Sequence, residues 1–454
     1  MEQYHLIVIG AGPGGYEAAL EAAKLGMRTA VVEERELGGT CLNRGCIPTK
    51  ALLHSAEVYN EILHAQKLGI TIDGAGFDMQ AMINRKNELV QTLRSGIEGM
   101  FKRAKIDLYN GKGKIKNTNT VVVNETVLSA DNILIATGST PSLPSVAGIG
   151  CEGVMTSDGL LDCTEKIGSL TIIGGGVIGM EFAQVYNALG ADITIIEAMD
   201  KVLPTFDREI SQSIAMSFKK RGIKIVTGTM VEKIEKERKL LKSMYKTGDK
   251  TESVSSEKIL VAIGRKANIA GLFEGDFIAT ERGQIKIDEH CRTNVKNIYA
   301  VGDCAYGAIQ LAHYATAQGL NVVHSIAGKA VPHNLSLIPS CIYTSPEIAC
   351  VGMTQEAAKL ASIETKTAKY LMGANGKTQI NTDERGFVKL VVCASDGVLM
   401  GAQLFCCNAT DMIGELSLAM AQGLTASQVV SVVHPHPTFV EAVNEAAKML
   451  LDTQ

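Results

Sequence analysis

No apolar stretch in this sequence is long enough to cross a bilayer. The run over residues 6–20 is broken by Gly10, Gly12, Pro13, Gly14, Gly15 and Glu17. No cationic leader stands ahead of an apolar run either. Met1-Glu2-Gln3-Tyr4 enters an apolar strand directly, so neither a signal nor a transit peptide is expected. Blocks of basic residues interleaved with aromatics are also missing, and the net charge is −4. Nucleic-acid and membrane partners are therefore not expected, and a cytoplasmic location is the default. The 11 cysteines have no scaffold-like spacing, and their number is odd. Most are expected to be reduced core thiols, including Cys406-Cys407 at the end of a strand. No metal-ligating set is assigned.

What is present is an ordinary globular composition, 46% hydrophobic and 20% charged over 454 residues. That length suits about three domains with sizeable cores. The 45 glycines point to tight turns and close backbone approaches.

Two of those turns carry chemistry. Residues 4–9 read as a buried parallel strand, followed by Gly10-Ala11-Gly12-Pro13-Gly14-Gly15, a helix to Gly26, and a strand from Thr29 that ends at Glu33. Gly10 allows the tight turn, Gly12 lets a pyrophosphate approach the backbone, and Gly15 permits close helix–strand packing. Glu33 is placed to accept a hydrogen bond from a ribose hydroxyl. The pattern recurs at Gly174, Gly176 and Gly179, with Glu197 closing the next strand. Two fingerprints mean two dinucleotide sites. A carboxylate at Glu197, with no arginine in Ala198-Met199-Asp200-Lys201, favours NAD over NADP, although Lys201 counts weakly against.

Two similar strand-turns, ending at Gly138 and Gly264, close the nucleotide-binding blocks. Asp303, at the end of the strand 298–301, is placed to bind a cofactor hydroxyl. Residues 233–257 are expected to form a charged surface hairpin. From about residue 332 the pattern changes to short alternating strands with helices. The fold class is α/β: two Rossmann-like dinucleotide-binding domains and a C-terminal α+β domain. The expected boundaries are 1–140 with 268–335, then 141–267, then 336–454.

Between the first fingerprint and a helix expected from Cys41 to Ala65 lies Gly39-Thr40-Cys41-Leu42-Asn43-Arg44-Gly45-Cys46-Ile47-Pro48-Thr49-Lys50. Its context reads as a redox-active disulfide between Cys41 and Cys46. A helix starting here would stabilise a thiolate through its dipole. Lys50, four residues beyond Cys46, lies on the same helical face. Glu181 is a charge inside an otherwise apolar helix and needs a partner. Near the C-terminus, His434-Pro435-His436-Pro437-Thr438-Phe439-Val440-Glu441 places a carboxylate five residues after His436, an arrangement in which a base is oriented by an acid.

Taken in order, these motifs resemble the flavin-dependent pyridine nucleotide–disulfide oxidoreductases along the whole chain. Within that family the chain looks most like the members that oxidise lipoamide. The resemblance implies that the first fingerprint binds FAD, with Asp303 on its ribityl chain, and that the second binds NAD. It implies a Lys50–Glu181 ion pair near the flavin, a homodimer built through residues after about 336, and His436 with Glu441 completing the partner subunit's active site. Cys41 then faces the thiol substrate and Cys46 the flavin. Lipoyl domains of a 2-oxo acid dehydrogenase or glycine-cleavage complex are the implied partners. Two alternatives are an NADPH-dependent reductase of a small disulfide and a docked structural subunit. A tail without cysteine argues against mercuric reductases and against thioredoxin reductases with a C-terminal redox tail. Arg44, Pro435 and Phe439-Val440 depart from the usual residues, which bears on the substrate channel and flavin potential.

Overall fold

A computed structural model describes residues 2–381 and 385–452. The chain condenses into two compact units. One comprises residues 1–144, 155–166 and 261–335; the other comprises 145–154, 167–260 and 336–454.

In the first unit the strand Glu2–Ile9 lies between two parallel neighbours, Thr29–Glu33 and Thr126–Ile135. Asp107–Asn110 extends the sheet on one side, and Ile298–Ala300 also joins Thr126–Ile135 in parallel. Leu6, Ile7 and Val8 are fully buried, which is why this strand reads as a continuous apolar run rather than an alternation. One face packs on helices Pro13–Lys24, Met79–Ala104 and Ala312–Ile326 through Ala18, Ala19, Phe101 and Val323. Gly14 and Gly319 bring the first and last of these helices together. A Cβ on Gly319 would lie 2.4 Å from the Gly14 carbonyl oxygen.

The second unit opens with a parallel sheet, Lys224–Val226, Asp192–Ile196 and Ser169–Ile173, extended by Lys258–Val261. The charged stretch after it is a three-stranded antiparallel meander, Val231–Glu237, Leu240–Thr247 and Lys250–Ser256, rather than the expected hairpin. Its third strand is exposed along most of its length, so no apolar alternation marks it in the sequence. The C-terminal part is a five-stranded antiparallel sheet. Helices Ala409–Ala421 and Glu441–Leu451 bury Leu416, Ala442, Val443 and Ala446 in the core shared with Leu390 and Leu404.

One buried ion pair joins the two parts of this unit. Asp207 caps helix Arg208–Lys220 through the amide of Glu209, and its other oxygen takes Lys389 Nζ at 3.1 Å. Asp207 is fully buried and the Lys389 side chain is 10% exposed. Removing the lysine would leave a carboxylate without its counter-charge in the interior. Lys389→Ala is therefore expected to destabilise this unit by about 3–5 kcal/mol. A urea midpoint shifted by the equivalent of less than about 1 kcal/mol, the range of an exposed pair, would contradict the assignment.

Candidate active site

The two glycine turns are near copies. Gly10 and Gly174 have φ of +99° and +112°, and each donates its amide to the carbonyl closing the next strand, Val32 and Ile196, at 2.8 Å. A Cβ on Gly10 would sit 2.4 Å from the Ala136 carbonyl oxygen. Each turn feeds a 12-residue helix, Pro13–Lys24 and Val177–Ala188, neither capped by a side chain. The third glycines are set by contact: a Cβ on Gly15 or Gly179 would lie 1.9 or 2.0 Å from the carbonyl oxygen of Gly10 or Gly174.

The two acids also match. Glu33 accepts from the amides of Ala11 at 2.6 Å and Arg35 at 2.8 Å. Glu197 accepts from Gly175 at 2.5 Å and Met199 at 2.8 Å. Burial pushes the Glu33 carboxyl up, while these backbone amides favour its charge. Lys201 donates to the Phe206 carbonyl at 2.7 Å, which ties it back to its own loop and removes the objection it raised to NAD. Both turns fit a dinucleotide. The helix starts carry amides and no side-chain cap, and a Cβ on Gly176 would meet nothing within 4 Å, leaving room for a pyrophosphate. At the first turn Gly12 and Gly39 approach so closely that a Cβ on Gly39 would lie 2.6 Å from the Gly12 Cα. Gly138 (φ +64°) and Gly264 (φ +118°) are demanded by backbone conformation, since neither Cβ would meet a neighbour within 4 Å.

The cysteines lie on two helices, not on the single one expected. Gly39–Arg44 carries Cys41, and Cys46–His64 begins with Cys46. The break is Gly45, with φ −140° and ψ −113°. A Cβ there would stand 2.9 Å from the Thr40 carbonyl oxygen and 3.2 Å from the Cys41 Cα. The close fold-back puts the Cys41 thiol in hydrogen-bond contact with Cys46. That bond and burial push the Cys41 pKa well above the ordinary thiol value, and the nearby Lys50 charge works against them. Cys46, as the first residue of a 19-residue helix, is the sulfur that the helix dipole favours as a thiolate.

Glu181 is buried and accepts a hydrogen bond from the Tyr343 amide at 3.1 Å. The expectation that it needs a partner is met within its own unit.

The two C-terminal histidines differ sharply. His434 is 7% exposed and both ring nitrogens are occupied: Nε2 meets Glu415 Oε1 at 2.9 Å, and Nδ1 meets the Asn444 amide at 3.1 Å. His436 is 77% exposed, with Nδ1 2.8 Å from Glu441 Oε1. A carboxylate only accepts, so Nδ1 carries the proton and Nε2 is left as the basic nitrogen. Glu441 opens its helix, and its second oxygen takes the Thr438 amide at 2.7 Å. The Thr438 amide, then His436, hold the Glu441 carboxyl below its ordinary pKa.

Asp303, in a short turn after the strand Ile298–Ala300, accepts from Ser139 Oγ at 2.5 Å. Ser139 in turn accepts from Arg265 Nε at 2.8 Å. Sequence reasoning assigned no role to Ser139 or Arg265; the signal was their place beside Gly138 and Gly264.

The sequence matches the pyridine nucleotide-disulphide oxidoreductase family over residues 4–319 and that family's dimerisation domain over residues 338–447. Among similar proteins, a dihydrolipoyl dehydrogenase of Bacillus subtilis is 39% identical, covering 98% of this chain and 97% of its own. One of Chlamydia pneumoniae is 40% identical, covering 98% and 96%. Among solved structures, LpdA of Mycobacterium tuberculosis superposes with a TM-score of 0.90 at 26% identity, covering 99% of this chain and 100% of its own. The HOCl-induced flavoprotein disulfide reductase RclA of Escherichia coli gives 0.88 at 29%, covering 98% and 100%.

The contact at Gly45 is directly testable. Gly45→Ala must push the two helices that flank it apart, at a cost typical of overpacking, about 1–3 kcal/mol. The equilibrium between dithiol and disulfide should shift toward the dithiol by roughly tenfold or more. Redox titration against a glutathione buffer, read by alkylation of Cys41 and Cys46, checks this. An unchanged midpoint would contradict it.

Proposed function

Because the chain belongs to the pyridine nucleotide-disulphide oxidoreductase family, we propose that it oxidises protein-bound dihydrolipoamide to lipoamide, reducing NAD+ to NADH, as a cytoplasmic homodimer. The observation that carries this reading is the Cys41–Cys46 contact at the broken helix, with the Lys50 charge beside it. The choice of substrate rests on full-length relatives that are named dihydrolipoyl dehydrogenase. The lipoyl domains of a 2-oxo acid dehydrogenase or glycine-cleavage assembly are the partners this substrate calls for.

In this reading residues 1–140 and 268–335 hold FAD through Gly10, Gly12, Gly15, Glu33, Gly138 and Asp303. Residues 141–267 hold NAD through Gly174, Gly176, Gly179, Glu197 and Gly264. Residues 336–454 form the dimer interface. FAD, when bound, carries the two electrons from the dithiol to NAD+.

The protein's own residues do the thiol chemistry. The Nε2 nitrogen of His436 of the partner subunit, oriented by Glu441, takes the proton of one substrate thiol. The thiolate attacks Cys41 Sγ in the oxidised pair, an S–S bond forms, and Cys46 leaves as a thiolate. The second substrate thiol then attacks the mixed disulfide, releasing lipoamide and returning Cys41 as a thiol. In sum, dihydrolipoamide and NAD+ give lipoamide, NADH and one proton. The helix N-terminus stabilises the Cys46 thiolate, and Lys50 adds a positive charge close by.

A reductase specific for NADPH is disfavoured, because Glu197 repels a 2′-phosphate and Lys201 is held on Phe206.

Two substitutions separate the roles. Cys46→Ser should abolish dihydrolipoamide oxidation while FAD remains bound; retained turnover would sink the disulfide assignment. His436→Gln should lower dihydrolipoamide oxidation by about 100-fold or more, the range of a general base. NADH oxidation by an artificial electron acceptor should change little in that variant. An equal fall in both rates would contradict His436 as the substrate base.

A further inference from the structure

Arg265 is a residue for which the proposed reaction has so far found no use. It sits in the first unit, just beyond Gly264, and opens the short strand Arg265–Ala267, which pairs with Ser139–Pro141. Its guanidinium is largely buried. Burial presses its pKa down, while Asp303 first and then Asp158 favour the charge. A buried cation on a surface-length side chain needs a full set of acceptors.

Those acceptors come from distant parts of the chain. Nε donates to Ser139 Oγ at 2.8 Å, and Nη2 donates to the Ser139 carbonyl at 2.7 Å and to Thr40 Oγ1 at 3.4 Å. Arginine can only donate, so Ser139 Oγ must accept from it. The hydroxyl proton then has one destination, Asp303 Oδ2 at 2.5 Å. The direction of every proton in the chain Arg265–Ser139–Asp303 follows. With Oδ2 occupied, Asp303 Oδ1 accepts no hydrogen bond among the described residues. Ser139 is itself 6% exposed, so water does not compete for its hydroxyl.

We propose that Arg265, acting through Ser139, is a positioning residue for the flavin site. It aims Asp303 Oδ1 at a cofactor hydroxyl and, through Thr40, ties that carboxylate to the short helix that carries Cys41. The proposal rests on the assignment of FAD to the first glycine turn. The planar fork reaches two oxygens of Ser139 and one of Thr40 together, which an ammonium group on a single point cannot do.

The test is FAD binding by the apoprotein, read from the quenching of flavin fluorescence on uptake, with no turnover involved. Ser139→Ala removes one oxygen and Arg265→Met keeps the volume, so both are compatible with folding. Each should weaken FAD binding by about 10- to 100-fold, as befits a hydrogen bond to a charged group. The double variant should bind within about threefold of the weaker single, because each single already breaks the relay. Arg265→Lys, which keeps the charge and loses the fork, should resemble Arg265→Met. Losses that multiply in the double variant, or a lysine that restores wild-type affinity, would overturn the relay. Equal FAD affinity in wild type and all variants would overturn the relay alone. A wild-type apoprotein that takes up no FAD would overturn the flavin assignment as well.

Discussion

The approach of two backbones at Gly45 is the constraint on which the dithiol depends. A cysteine five residues from another along one continuous helix would look out at a different level and angle. Here the helix stops at Arg44 and restarts at Cys46, and the absence of a Cβ lets the Thr40 carbonyl and the Cys41 Cα close on the junction. The break does two things at once. It brings the Cys41 thiol onto Cys46, and it gives Cys46 the first position of a long helix, where a negative charge is favoured. The inequality of the two sulfurs is thus a property of local geometry.

Around that junction the fold repeats one device in two settings. Both glycine turns use a strand-closing carbonyl, a backbone-bound glutamate and a helix start without a side-chain cap. What distinguishes them is the surroundings. The first turn faces Gly39 and the redox segment, whereas the space above Gly176 is open.

Much of this was legible in the sequence, because it is local. The strand, turn and helix of each fingerprint, its acid, and the His436–Glu441 pair all lie within short windows whose spacing encodes their geometry. The break at Gly45 was not legible: a glycine in a helical pattern is tolerated often enough, and only its contact with Thr40 requires it here. That His434 is buried with both ring nitrogens occupied while His436 is exposed was not legible, since the two look alike as letters. Arg265 escaped because its partners lie 126 and 225 residues away. The meander was misjudged because its outer strand faces solvent on nearly every residue.

The proposed function stands on Cys41 and Cys46 acting as one two-electron couple between dihydrolipoamide and NAD+. The most direct measurement is anaerobic titration of the flavin-loaded dimer with dihydrolipoamide, followed by alkylation and peptide mass spectrometry, alongside the NADH formed on adding NAD+. If they form that couple, Cys41 and Cys46 alone pass from a linked peptide pair to two alkylated thiols, and one NADH forms for each pair reoxidised. NADH formed while these two cysteines stay in one redox state, or two thiols released at other cysteines, would contradict it.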